Sequence, residues 1–76
     1  MDNIVTMNTF TDVLKKNIDE ILATTTVPGI VLAVQKVLVQ NNLDETTAGR
    51  QLTRELLSSL SHTAAVQKVF KYMMWG

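Results

Sequence analysis

The side chains able to do chemistry are few and scattered. His62 is the single histidine of a 76-residue chain that contains no cysteine. A general base needs an orienting partner and a substrate within hydrogen-bond reach, yet no Asp or Glu lies within six residues of His62. Its neighbours Ser61 and Thr63 suit a helix start better than a nucleophilic pair, so His62 reads as structural. The carboxylate pairs Asp19 with Glu20 and Asp44 with Glu45 are adjacent in sequence, and adjacent helical residues project in different directions. They fit a solvated face or a favourable contact with a helix N-terminus. Seven scattered carboxylates and one imidazole have no zinc or calcium ligand spacing. Gly29, Gly49 and Gly76 stand alone, so neither a P-loop nor a dinucleotide fingerprint can be written. The expectation is a protein without catalysis, cofactor or bound metal.

Binding chemistry is better represented. Arg50 and Arg54 sit one helical turn apart, and Lys68 and Lys71 are similarly spaced further on. From Arg50 to Gly76 four basic residues face one acid. A helix-turn-helix with a recognition segment after His62 can be imagined on this stretch. Overall neutrality, seven basic against seven acidic side chains, gives little counterion-release affinity, which disfavours nucleic acid. The ending Tyr72, Met73, Met74, Trp75 combines aromatics with adaptable thioethers. Met73 and Met74 continue an inner stripe and are expected in the core, whereas Tyr72 and Trp75 lie three apart on another edge. Amphipathic rings so placed suit a protein interface. The partner-binding candidates are therefore Tyr72, Trp75, Arg50 and Arg54. The segment Ile4, Val5 and Met7 is a second candidate, packing across the fold or exchanged with another chain.

The elements that must position these residues read as helices. Thr9 with Asp12 is a plausible cap for a helix from near Phe10, in which Phe10, Val13, Leu14, Ile18, Ile21 and Leu22 share a face. Thr24, Thr25 and Thr26 end it. Pro28 fits the first turn of a second helix. Residues Ile30 to Val39 are β-branched enough for a strand, but the length of the segment, the spacing of Gln35, Lys36 and Gln40, and the lack of a hairpin turn favour helix. Apolar all round, it should lie centrally, with Asn41 and Asn42 as terminators. Leu43 and Asp44 look like a staple residue and an N-cap. Ala48, Leu52, Leu56 and Leu60, broadened by Leu57, form the next stripe. Gly49 weakens that helix by about 1 kcal/mol relative to Ala unless a neighbouring backbone approaches it closely. Ser58, Ser59 and Ser61 mark its end or a bend, Ser61 or Thr63 caps a fourth helix, and Val66, Val69, Phe70, Met73 and Met74 form its apolar face.

The sum is one all-α domain over residues 1–76, a small bundle of about four short helices. The chain is 46% apolar and 18% charged, which excludes the low hydrophobicity of disorder. Its longest apolar run, Ile30 to Val34, has five residues where about 18 to 20 are needed to span a bilayer, so direct membrane insertion is not expected. Residues Met1 to Asn8 lack the basic start and long apolar core of a signal peptide; the expected location is the cytoplasm. Small size, high apolar content and missing disulfide staples favour a homodimer over a monomer.

The segment Thr46 to Ser61 (TTAGRQLTRELLSSLS) and the ending Val69 to Gly76 (VFKYMMWG), with the overall length and the opening residues, carry a resemblance. The chain resembles the lysis-inhibition accessory proteins, or cytoplasmic antiholins, of T-even-like phages. The resemblance implies a protein of the host cytoplasm that binds the cytoplasmic N-terminal part of the holin and delays lysis. It supplies no site residues. The alternative is a small phage or bacterial regulator binding DNA or the transcription machinery through Arg50, Arg54, Lys68 and Lys71.

Overall fold

The computed structural model of the chain describes residues 7–74, with side chains from Thr9 onward. Among the described residues five helices follow one another: α1 (Met7–Lys16), α2 (Ile18–Leu22), α3 (Val27–Gln40), α4 (Thr47–Leu57) and α5 (His62–Met73). All-helical architecture is as expected, and the ambiguous segment Ile30 to Val39 is helix. The count rises from four to five because the first helix breaks at Asn17. There the side-chain amide donates to the Val13 carbonyl at 2.8 Å, while the backbone N–H turns to Leu14 at 3.1 Å. A side chain competing for the carbonyl four residues back interrupts the helical ladder. Thr9 lies inside α1 rather than capping it.

Three of the helices start by one device. Thr26, Thr46 and Ser61 each sit in extended backbone. Their hydroxyl oxygens accept the N–H three residues on, from Gly29 at 3.0 Å, Gly49 at 3.0 Å and Ala64 at 3.1 Å. Each satisfies one of the orphan donors of a first turn. Ser61 is the expected cap of α5. The cap of α4 is Thr46, not Asp44, because the chain needs residues 41–46 to turn back from α3. The threonine run ends one helix and begins the next: Thr24 donates to the Ile21 carbonyl at 2.9 Å, and Thr26 caps α3 two residues later, with Pro28 in the first turn as expected.

The end of α3 explains that turn. Asn42 adopts a left-handed φ of 58°, a conformation asparagine tolerates better than most side chains. The Leu43 N–H then reaches the Leu38 carbonyl at 2.8 Å and the Asn42 N–H reaches Val39 at 3.1 Å. This pair of bonds is the Schellman arrangement, in which the residue after the left-handed one packs on the last turn. Leu43 and Leu38 are both buried. The Thr46 hydroxyl donates to the Leu43 carbonyl at 2.6 Å, holding that carbonyl against the start of α4. Gly49, buried in the first turn of α4, faces it directly. A Cβ at Gly49 would overlap the Leu43 carbonyl oxygen, so the close backbone approach that would justify a helical glycine is present.

One core cluster joins all five helices, from Phe10, Leu14 and Ile21 through Ile30, Val34, Val37 and Leu38 to Leu43, Leu52, Leu56, Ala65, Val69 and Tyr72. α3 packs on every other helix, most extensively on α4. Its central place is as expected, but its outer face is bare: Leu32 is 66% and Val39 57% exposed. The stripe of α4 also ends sooner than its period suggests. Leu57 is 65% exposed and Leu60, beyond the helix, is 100% exposed. In α5 the buried residues are Ala65, Val69 and Tyr72, a stripe rotated from the expected one. Phe70 lies at its edge, Met73 is half-buried, and Met74 projects from the bundle instead of entering the core.

Replacing a helical glycine by alanine ordinarily stabilises by about 1 kcal/mol. Here Gly49→Ala should destabilise by about 1–3 kcal/mol, the range for a clash that shifts backbone, read as a lowered urea midpoint with unchanged slope. A raised midpoint would show that the Leu43 turn yields freely.

Candidate functional site

The sequence candidates separate into two places. Tyr72, expected as an exposed anchor, is 1% exposed. Its ring meets Phe10 edge-on, with centroids 6.0 Å apart and planes at 65°, and its hydroxyl donates to Glu55 Oε2 at 2.8 Å. The correction has a physical basis: three residues beyond Val69, position 72 points inward, and a buried tyrosine needs only one polar partner for its hydroxyl. Glu55 supplies that partner from α4. The other carboxylate oxygen, Oε1, is buried without a hydrogen bond, and Lys71 Nζ approaches it to 3.8 Å while lying 5.9 Å from the Tyr72 ring centroid. Phe10, Tyr72, Glu55 and Lys71 thus tie α1, α5 and α4 together. Trp75, Ile4 and Val5, together with the side chain of Met7, lie outside the described residues.

His62 is half-buried, with Nε2 3.3 Å from the Thr24 hydroxyl. Because that hydroxyl spends its proton on the Ile21 carbonyl, it receives the imidazole N–H. The contact fastens the start of α5 to the α2–α3 turn. Among the described residues, no three His, Cys, Asp or Glu side chains converge as a metal site, and no helix is long and apolar enough to cross a membrane.

The other place is the outer surface of α3 and α4. On α4, Arg50, Thr53, Arg54 and Leu57 follow at intervals of three, four and seven, which puts them on one face. On α3, Gln35 and Val39 share a face with Leu32 one turn earlier. These two faces, with Leu38 and with Asp44 from the intervening turn, line a groove of about 560 Å³. Leu38 is buried, whereas Val39 and Leu57 stand open to solvent. Thr53 directs its hydroxyl to the Gly49 carbonyl at 2.9 Å and offers the groove no free proton. Arg50 and Arg54 are exposed, and their guanidinium groups have no hydrogen bond or ion pair among the described residues. Asp44 is the one acid at the rim.

Lys68 and Lys71 do not line this groove, and Lys71 approaches the Glu55 carboxylate. The four basic residues expected on a single face are therefore divided. Leu32, Val39 and Leu57 are the binding candidates that pattern reading missed. The signal was present as surplus: α3 carries more apolar residues than one packed stripe can use, and Leu57 lies seven residues beyond Arg50, on the same outward face. An arrangement of apolar wall, two unpaired guanidiniums and one carboxylate has the makings of a binding surface for a molecule both apolar and charged. No family model matches the chain, and no curated protein or solved structure matches it.

The Tyr72 phenol is pushed up from its usual 10.0 to about 12, first by burial, then by the hydrogen bond to Glu55 and by that carboxylate's charge. The unfolded chain releases this proton near 10 and the folded chain near 12, so between those values the folded state binds more protons. Its contribution to stability is full below pH 10 and disappears as pH rises through about 12. Tyr72 is the only tyrosine, so ultraviolet titration of the phenolate should find the high value in the folded chain and the ordinary one in denaturant. Tyr72→Phe should flatten the alkaline decline in stability while costing about 1–3 kcal/mol at neutral pH, since Glu55 loses its donor.

Proposed function

We propose that this chain acts by stoichiometric binding to another protein, and that it is a lysis-inhibition accessory protein that engages the cytoplasmic N-terminal part of a holin and delays lysis of the host cell. The observation that carries the binding reading is the α3–α4 groove, where exposed Val39 and Leu57 stand beside two arginines without partners. By contrast, the three hydroxyl caps and the Tyr72 hydroxyl are engaged within the bundle. The choice of a holin rests on the resemblance carried by Thr46 to Ser61 and Val69 to Gly76. The first of those segments contains Arg50, Arg54 and Leu57.

An inhibitor of this kind works by differential affinity. By binding the dispersed holin more tightly than the assembled one, it holds the population short of hole formation, and the delay depends on the difference alone. A small bundle with a preformed groove suits that task because little of the binding energy is lost in ordering its walls.

The test is calorimetric titration of the chain with the holin's cytoplasmic N-terminal segment, together with lysis timing on co-expression. Saturable one-to-one binding and delayed lysis are expected, and Arg50→Glu with Arg54→Glu should weaken binding by about 1–3 kcal/mol while the helical circular dichroism stays intact. Absence of binding would overturn the holin assignment. Retardation of duplex DNA at low salt, lost steeply as salt rises, would favour the regulator reading instead.

A further inference from the structure

We propose that the α3–α4 groove receives an amphipathic α-helix of another protein, one bearing acidic residues a turn apart beside an apolar stripe. The inference deepens the protein-binding reading above and rests on it. Three features of the groove select this occupant.

The first is the state of the walls' backbone. Both walls are helices, whose interior N–H and C=O groups are already bonded within each helix. An extended peptide would find no sheet edge to pair with, and its own backbone would lose water without replacement. A helix enters with its backbone already satisfied and presents only side chains. The second is the spacing of charge. Arg50 and Arg54 are separated by one turn, a rise of ~6 Å, which matches two carboxylates at the same interval on a facing helix. Guanidinium groups favour such carboxylates through paired N–H donors. The third is the apolar wall of Val39 and Leu57, with Leu38 behind them and Leu32 extending the α3 face beyond the groove. The wall from Leu32 to Val39 and the wall from Arg50 to Leu57 each run ~10 Å, enough to support about two turns of a partner.

Charge also argues against the two other occupants. A second copy of this chain, docked by the same face about a two-fold axis, would bring together four guanidiniums and two carboxylates, since each copy contributes Arg50, Arg54 and Asp44. That contact gathers like charge where the proposed helix neutralises it. A nucleic acid would meet two arginines, an opposing carboxylate and a wall of Val39 and Leu57, with Lys68 and Lys71 outside the groove.

The test is selection of a displayed library of random helix-forming peptides, about 16 residues long, on the whole folded chain. Amide shift mapping then locates the peptides recovered. Enrichment of Glu or Asp at intervals of three or four beside an apolar stripe is expected, with shifts concentrated on residues 35–39 and 50–57. Reselection on the variant carrying Arg50→Glu and Arg54→Glu should turn the preference toward Lys and Arg. Leu57→Lys, at a site 65% exposed, should keep the fold and lower affinity for the selected peptides about tenfold or more. Peptides without acidic bias, binding away from α3 and α4, or a preference unmoved by charge reversal would each overturn the proposal. So would a dimer in sedimentation equilibrium that Leu57→Lys dissolves, or duplex binding that requires Arg50 and Arg54. If acidic helices enter the groove and the holin segment does not bind, only the holin assignment fails. If the holin segment binds elsewhere and no acidic helix is selected, only the groove proposal fails.

Discussion

The structure depends on one close approach, the Leu43 carbonyl lying against Gly49 in the first turn of α4. It is made by local chemistry on both sides. Asn42 turns the chain through a left-handed conformation, the Leu43 N–H bonds back to Leu38, and Thr46 accepts from Gly49 while donating to Leu43. Three hydrogen bonds and one missing methyl group thus fix how near the start of α4 comes to the end of α3. Everything later on α4 inherits that placement. Rotation by about 100° per residue then sends Leu52 and Leu56 into the core and Arg50, Arg54 and Leu57 outward beside Val39.

The neighbours Arg54 and Glu55 divide α4 between two tasks. Glu55 faces α5, where Tyr72 donates to it and Lys71 stands close. Arg54 faces the groove and remains unpaired. Adjacent helical residues project in different directions, so the Glu55 carboxylate serves the α5 side of the helix while the Arg54 guanidinium stands on the groove side. The contact that locks α5 to the bundle and the charge that lines the groove thus lie on two sides of one helix.

Much of this was legible in the sequence. The all-helical class followed from periodicity and from Pro28, the threonine run and Ser61 as boundary markers. The condition attached to Gly49 named the feature that justifies it. Pattern reading went astray where two physical explanations fit one residue. Tyr72 has a polar tip and so read as a surface anchor, although a partner seventeen residues earlier makes it core. Met74 and Leu60 continued apolar stripes whose helices stop before the stripes do. Asp44 looked like a cap because acids favour helix starts, but the Schellman turn moves the start to Thr46. The groove was the least legible feature, since it belongs to neither helix alone: Arg50 and Arg54 were visible as a pair, whereas Val39 and Leu57 gain their meaning only from being adjacent.

Exposed leucine and valine do not help a small bundle fold. Scattered singly they are ordinary on any surface, and their effect on stability is slight, whereas side by side in a concavity they invite association. Flanking arginines change that balance by placing charge at the opening, which keeps the free chain dispersed and penalises an apolar visitor that would desolvate them without pairing. The same desolvation penalty is offset when a ligand brings carboxylates. Apolar area then contributes affinity, and the unpaired guanidiniums decide which apolar surface is accepted, a division of labour in which attraction alone would make the groove sticky and charge alone would leave it weak.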